Sequence, residues 1–391
     1  MNKTRRYAMF AMLYFAQGSI MSFFTALNAL YLQSFGLDMS QIGVIGTIAM
    51  IPFILKIFLG MLSDKVNFFG LGHRKPYIII GLIVQATCLI LLPLIDPSVD
   101  FMAYALLAFV LMTGMALYDT CTDGLALDTT PVEEEGIIQS FMVGGRAVGM
   151  VVVSAVLGVL VYKTSWTFGF YFLAAATLLP LPLVFLSKES KRASDRIFEW
   201  SAFSCFKNSS VIGLAVLGAL YSLIIYGANQ IVNPSLSAHF GINYATAGFI
   251  STVLGIGTVL GSLAAGKLTE KIGQKRSVQI ALVVSIFAIG LLAAIIAPWM
   301  AWVLVFTFGL AFGFYETVFM AISMHITDGR IAATMFSILM AVANIGTGIG
   351  LGLTGVLADV AGYDATFLIL AVLNIAAWPL INLIFKPGKE C

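Results

Sequence analysis

Twelve continuous runs of about twenty apolar residues limit this chain to one class of fold. A helix of about twenty apolar residues is long enough to cross the hydrocarbon core of a bilayer. Because the runs are continuous and do not alternate apolar with polar residues, they predict membrane helices and not barrel strands. The runs begin near Ala8, Gln41, Pro76, Phe101, Ile137, Thr167, Val211, Ala245, Ser277, Met300, Ile331 and Ala365.

The composition agrees with this interpretation. Hydrophobic residues make up 60% of the chain and charged residues 10%, whereas soluble proteins have about 25% charged residues. So few polar side chains cannot cover a water-facing surface, which excludes a soluble enzyme. We predict an all-α integral membrane protein with twelve transmembrane helices. Neither the four cysteines nor the three histidines have ligand spacing, so we expect no metal site.

Basic residues predict the orientation of the helices, because lysine and arginine concentrate in cytoplasmic loops. With a cytoplasmic N-terminus, 18 of the 21 basic residues lie on the cytoplasmic side. Lys163 lies outside, and Lys56 and Arg146 fall within spans. We therefore expect both termini in the cytoplasm and the protein in the inner or plasma membrane.

The longest polar stretch divides the chain into two halves of six spans each. We predict a six-helix bundle over residues 1–186, a cytoplasmic linker over 187–210 and a second six-helix bundle over 211–391. Parallel repeats of six helices are a transporter architecture.

The two halves also share a loop pattern. The second span ends Gly60-Met61-Leu62-Ser63-Asp64-Lys65, and Arg74 and Lys75 follow. The eighth span ends Gly266-Lys267-Leu268-Thr269-Glu270-Lys271, and Lys275 and Arg276 follow. Both copies therefore contain a glycine, then an acid and a base, then a basic cluster.

These loops resemble the signature loop of the major facilitator superfamily, and the twelve-span layout is similar over the whole chain. The insertion 67–72, Lys56, the acidic fourth span and Gly145-Arg146 further resemble the AmpG-like muropeptide permeases and the related acetyl-CoA transporters. The resemblance implies two pseudo-symmetric bundles, a monomer, and alternating access to a central cavity. It also implies a loop latch in the outward-facing state, formed by Asp64, Arg74, Lys75, Glu270, Lys275 and Arg276.

Five ionisable residues fall within predicted spans, where charges are costly and are functional candidates by default. They are Lys56, Asp119, Asp123, Arg146 and Glu316. Asp119 and Asp123 are four residues apart and share one helix face. At about 1.5 Å rise per residue, Lys56, Asp119 and Arg146 lie at a similar depth. A charge network that holds helices in register and a substrate-binding or gating site both remain possible for Lys56, Asp123 and Arg146.

We predict Glu316 or Asp119 as the proton-coupling residue. The resemblance places the fourth and tenth helices along the central cavity. No basic residue of its own span lies near Glu316, so we expect that carboxyl group to be unpaired.

Several uncharged polar residues are predicted to line the cavity, since the resemblance also places the first and seventh helices there. Amide and phenol groups of this kind bind sugars or peptides, but they also form hydrogen bonds between helices, and both roles remain open. The candidates are Gln17, Asn28, Tyr118, Asn229, Gln230 and Tyr315.

We expect a secondary transporter of a small organic solute, and an AmpG-like permease for a sugar-peptide or other anionic metabolite is one form of it. Its partners would be that solute and the lipid bilayer, with no nucleic acid. No nucleotide-binding loop occurs, so we expect no cofactor and a proton gradient as the driving force. Alternatives are a proton-driven drug or metabolite exporter, a sugar–cation symporter, a membrane enzyme, and a non-transporting assembly factor or sensor.

The predicted orientation can be tested with single cysteines in a cysteine-free variant. We expect a membrane-impermeant thiol reagent to label Ser98→Cys in intact cells, because the third loop lies outside. Gln274→Cys in an inner loop should be labelled only after lysis, and the reverse pattern would overturn the orientation.

Overall fold

The computed structural model describes residues 3–68, 72–130, 134–187, 207–326 and 332–385, and these are almost entirely helical. The predicted linker 187–210 lies mostly outside the described residues. The helices from the first half of the sequence are α1 (Lys3–Ser22), α2 (Asn28–Gln33), α3 (Met39–Ile54), α4 (Lys56–Lys65), α5 (Lys75–Leu91), α6 (Phe101–Thr129), α7 (Glu135–Lys163), α8 (Trp166–Leu178) and α9 (Leu181–Leu186). Those from the second half are α10 (Ser209–Phe240), α11 (Tyr244–Ile272), α12 (Gln274–Leu292), α13 (Pro298–Ile326), α14 (Ala332–Ala361), α15 (Tyr363–Leu373) and α16 (Ala377–Ile384).

The all-α membrane fold is confirmed. Within the described part of the chain, eleven helical segments are long and apolar enough to cross a membrane, and α3 is a shorter apolar helix. The second predicted span consists of two helices, α3 and α4, which Leu55 separates.

The break in the second span has a local cause. Pro52 lies inside α3, where its ring removes a backbone hydrogen bond and clashes with the preceding turn. Leu55 then leaves helical geometry, with φ −82° and ψ 2°. The amide of Phe58 bonds to the carbonyl of Leu55 at 2.9 Å, and α4 begins at Lys56.

The first span is also irregular. A π-helical turn, Phe23–Leu27, joins α1 to α2. The backbone amide of Asn28 donates to the backbone carbonyl of Phe23, five residues earlier. Such turns often occur at functional sites. Apolar periodicity gives no sign of this turn.

The chain forms two compact units. The first contains Met1–Leu37, Ile48–Ser194 and Asn243–Thr252, and the second contains Asp38–Thr47, Asp195–Ile242 and Val253–Cys391. Each unit thus includes ten residues from the other half of the sequence.

Each unit is held together by close helix contacts at glycines. In the first, a Cβ atom added at Gly145 would lie 2.2 Å from the Ala11 carbonyl oxygen of α1. In the second, a Cβ atom at Gly350 would lie 2.3 Å from the Leu223 carbonyl oxygen of α10. No side chain fits at such distances, so Gly145 and Gly350 allow the backbones of their helices to touch.

In the second unit, Asp359 at the end of α14 caps the start of α3. Its carboxylate accepts from the amides of Met39 at 3.0 Å and Ser40 at 2.6 Å. Nearby, the Thr47 hydroxyl donates to the Gly348 carbonyl at 2.7 Å. A carboxylate bound to the first amides of a helix satisfies donors that have no partner within the helix, and it interacts favourably with the helix dipole.

We expect Asp359→Ala to lower the free energy of unfolding by about 1 kcal/mol, because the first amides of α3 lose their cap. Thermal unfolding in detergent measures this loss. Asp364→Ala is the matched control, because the Asp364 side chain is 54% exposed and lies 3.6 Å from His239. Equal losses in the two variants would contradict the capping role.

Candidate functional site

A charged cluster lies within the first unit, on helices that contact one another through small residues. A Cβ atom added at Gly18 of α1 would lie 2.1 Å from the Arg146 carbonyl oxygen of α7. One added at Gly149 of α7 would lie 2.4 Å from the Phe15 carbonyl oxygen. The backbones of α1 and α7 therefore touch, and this contact fixes the rotation of α1 about its axis.

On α1, Tyr14 and Gln17 contact the carboxylates of α6. The Gln17 amide donates to Asp119 Oδ1 at 2.7 Å, and the Tyr14 hydroxyl donates to Asp123 Oδ1. Because Asp119 and Asp123 are one helical turn apart, two residues of α1 reach both of them.

Lys56 completes the cluster from the start of α4. Its ammonium nitrogen lies 2.5 Å from Asp119 Oδ2 and 3.6 Å from Asp123 Oδ2. One lysine is thus shared between two carboxylates, and the break at Leu55 places its backbone at the first residue of a new helix.

The two carboxylates differ in exposure. The Asp119 side chain is 5% exposed, whereas that of Asp123 is 42% exposed and that of Lys56 is 31% exposed. The cluster therefore has a buried side at Asp119 and Gln17 and an open side at Asp123 and Lys56.

The structure brings four of the predicted site residues together, namely Lys56, Asp119, Asp123 and Gln17. The side chain of Arg146 is half-buried on the adjacent α7, and its charge acts on Tyr14. Tyr14 joins the cluster although its position in the sequence gives no reason to prefer it over other tyrosines.

Glu316 lies on α13 in the second unit and is half-buried. It has an interaction partner in the structure, so the expectation of an unpaired carboxylate is wrong. Within a span, a buried acid is rarely left without a partner, because an isolated charge there is costly. Its role in proton coupling stays a prediction.

The two predicted tyrosines lie inside their units. Tyr118 is 1% exposed, and its backbone and Cβ lie close to Gly81 of α5. Tyr315 is 0% exposed, and its ring centroid lies 4.6 Å from that of Tyr221. Neither ring faces open space in this structure.

The predicted amides have varied surroundings. Asn28 directly follows the π-turn and is 7% exposed, and Asn229 on α10 is 8% exposed. Gln230 donates to the Leu351 carbonyl of α14 at 3.1 Å, which is a bond between helices. Their contribution to solute binding stays a prediction.

In the first loop copy, Arg74 and Lys75 both form bonds within the first unit. Arg74 is 6% exposed and binds the Ser63 hydroxyl at 2.6 Å and Asp128 at 3.3 Å. Lys75 donates to the carbonyls of Phe185 and Ser187 at 2.6 and 3.0 Å, which caps the end of α9. These bonds tie the ends of α4, α6 and α9 to the start of α5.

The remaining loop residues are placed as follows. Asp64 is a residue of α4. Glu270 at the end of α11 is exposed, as are Lys275 and Arg276 at the start of α12. Lys275 and Arg276 are therefore more exposed than Arg74 and Lys75 of the first copy, and the latch implied by the resemblance stays a prediction.

A further cluster around Glu134 was not predicted. Its carboxylate lies 2.6 Å from the Lys3 ammonium, and it also binds Arg6 and the Tyr7 hydroxyl. The hydrogen bond from Lys3 holds the pKa of Glu134 below its ordinary value. These contacts fasten the start of α1 to the start of α7. The same two helices also touch at Gly18 and Gly149.

Two family models match the chain, each over nearly half its length. The Major Facilitator Superfamily model matches residues 214–390, and the BT1 family model matches residues 17–206.

Curated transporters are similar in sequence. The sialic acid transporter NanX of Escherichia coli is 24% identical over 259 residues, which are 64% of this chain and 61% of NanX. The match therefore spans less than two thirds of NanX. The anhydromuropeptide permease of Escherichia coli is 22% identical over 359 residues, which are 87% of this chain and 72% of the permease.

Solved transporter structures share the fold. The nucleoside transporter NupG superposes with a TM-score of 0.77 at 16% identity, covering 99% of this chain and 100% of that one. The D-xylose–proton symporter gives a TM-score of 0.76 at 16% identity, covering 98% of this chain and 97% of that one. The chain is therefore similar to the Major Facilitator Superfamily over residues 214–390 and to the BT1 family over residues 17–206, and it shares the fold of solved transporters.

Proposed function

We propose that this protein is a proton-coupled secondary transporter that moves a small anionic, sugar-derived solute by alternating access. The observation that carries the proposal is Lys56, a partly exposed lysine in the second span that is shared between two carboxylates. A cation inside a membrane span is costly unless it is paired, and it marks a solute or ion pathway.

Lys56 has capacity to bind an anion. Its ammonium has three N–H donors, and one of its contacts, to Asp119 at 2.5 Å, is short. The contact to Asp123, at 3.6 Å, is long. With 31% of its side chain exposed, Lys56 can donate to a carboxylate that approaches from the open side of the cluster.

The relatives support an acidic sugar derivative. NanX is a sialic acid transporter, and the permease takes anhydromuropeptides. Sialic acid and muropeptides both combine a sugar with a carboxylate. A lysine would bind the carboxylate of such a solute, and amide and phenol groups such as those of Gln17 and Tyr14 suit its hydroxyl and acetamido groups.

Proton coupling is proposed because the cluster has more carboxylates than cations. Two carboxylates share one lysine, and adjacent like charges disfavour ionisation of both. One of the two is therefore suited to exchange a proton while the other remains paired with Lys56.

We expect proteoliposomes containing the protein to accumulate radiolabelled N-acetylneuraminate when the outside is acidic, and a protonophore to abolish the accumulation. Lys56→Met should lower uptake about ten- to a hundredfold, since a hydrogen bond to a charged group contributes about 1.5–3 kcal/mol. Lys56→Arg tests whether charge alone suffices.

Lys163→Met is the matched control, because Lys163 is an exposed lysine in the last turn of α7 and should leave uptake unchanged. Size-exclusion profiles show that each variant is folded. Uptake of lipophilic cations in place of acidic sugars would favour the exporter, and full activity of Lys56→Met would contradict the assigned role.

A further inference from the structure

We infer that Asp123 is the residue of this cluster that exchanges a proton, and that its protonation frees Lys56 to bind the anionic group of the solute. The identity of the solute rests on the proposed function, whereas the assignment of the proton to Asp123 rests on the cluster alone. Asp123 would thereby couple proton binding to solute binding at one lysine.

Asp119 is the fixed partner of Lys56. Both of its oxygens accept hydrogen bonds, Oδ1 from Gln17 at 2.7 Å and Oδ2 from Lys56 at 2.5 Å. Its side chain is 5% exposed. A carboxylate with a charged donor on one oxygen and an amide donor on the other is stabilised as the anion.

Asp123 is held more loosely on its second oxygen. Its Oδ1 accepts from the Tyr14 hydroxyl, but its Oδ2 lies 3.6 Å from the Lys56 ammonium, which is too long for a good hydrogen bond. Its side chain is 42% exposed, so the protein encloses this carboxylate only in part. A proton on Oδ2 would leave the Tyr14 bond to Oδ1 intact.

The charged and titratable groups around Asp123 come from four helices. Tyr14 lies on α1, Lys56 on α4 and Asp119 on α6 itself, and Arg146 on α7 interacts electrostatically with Tyr14. Farther along α6, Asp128 binds Arg74 at 3.3 Å in a separate cluster. Lys56 is therefore a cation in direct contact with Asp123.

In this arrangement the carboxylate of the solute replaces the charge of Asp123 beside Lys56. With Asp123 ionised, Lys56 faces two carboxylates. When Asp123 takes up one proton, it becomes a neutral acid and Lys56 faces Asp119 alone. A solute carboxylate can then occupy the place of the Asp123 charge, so that Lys56 again faces two anions and the net charge of the filled site is unchanged. Proton binding and anion binding therefore favour each other, and the coupling is reciprocal.

Infrared spectroscopy tests the proton assignment without any solute. In a pH titration of the purified protein, we expect a carboxylic-acid C=O band to grow as the pH falls. Asp123→Asn should lack this band, while Asp119→Asn and Glu316→Gln should keep one. Asn is nearly the same size as Asp and can still accept from Tyr14, so the variant should fold, which size-exclusion profiles check.

The matched variant Tyr14→Phe should keep the band but change the pH at which it appears, because the hydrogen bond to Asp123 is lost. A band that persists in Asp123→Asn, or that disappears in Asp119→Asn or Glu316→Gln instead, would overturn the assignment.

Binding measurements test whether protonation of Asp123 lets Lys56 bind the anionic group of the solute. Above the pH midpoint of the band, the affinity for N-acetylneuraminate should fall about tenfold per pH unit, as expected when one proton is coupled to one anion. Asp123→Asn should bind with high affinity at every pH, because no charge at residue 123 competes with the solute for Lys56, and the neutral methyl ester should bind weakly to both proteins.

Binding of N-acetylneuraminate that stays pH-dependent in Asp123→Asn would contradict the coupling. If N-acetylneuraminate binds neither protein at any pH, the proposed solute is wrong, and the infrared titration still decides the role of Asp123.

Discussion

The cost of placing charge inside a membrane sets the requirements that the first unit must meet. Lys56 and Asp119 lie 2.5 Å apart in helices that cross the bilayer. Either ion alone would be strongly unfavourable there, and even a buried pair is tolerated only when its remaining groups have partners. Gln17 supplies the second partner of Asp119. The position of α1 is therefore not free, because a rotation of this helix would leave Asp119 with an unused oxygen.

The irregular parts of the backbone serve this geometry. The break at Leu55 starts a new helix at Lys56, and Gly18 and Gly149 let α1 and α7 touch through their backbones. At its start, α1 is held again by Glu134, which binds Lys3 and Arg6. Two separate attachments to the region of α7 thus hold α1 where its amide and phenol groups reach α6. Rigid support of this kind keeps the side chains of a site close to the geometry that its function requires.

Hydropathy and charge predict much of the fold, because each apolar run and each loop charge is a local property of the chain. The class of fold, the helix count and the equal depth of Lys56 and Asp119 all follow from local counting. The contact partners of individual side chains do not follow from local counting. Tyr14 meets Asp123 across 109 residues and Asp359 meets Met39 across 320, and no periodicity carries that information. The break at Leu55 cannot be predicted from hydropathy, because Pro52 stands within an apolar run that is otherwise long enough to span. The partner of Glu316 cannot be predicted either, because the spacing of bases within its own span says nothing about contacts with the rest of the chain.

The π-turn at Phe23–Leu27 makes the first span tolerant to a change in length. A π-turn contains one residue more than the α-helix around it needs, and the extra residue is absorbed by bonds such as that from Asn28 to Phe23. Deletion of one residue within this turn would restore α-helical hydrogen bonding, while α1 and α2 would keep the faces they now present. A related sequence that is one residue shorter here would thus hold the same cluster. An ungapped alignment through this turn would shift every residue of α2 by about 100° around the helix axis.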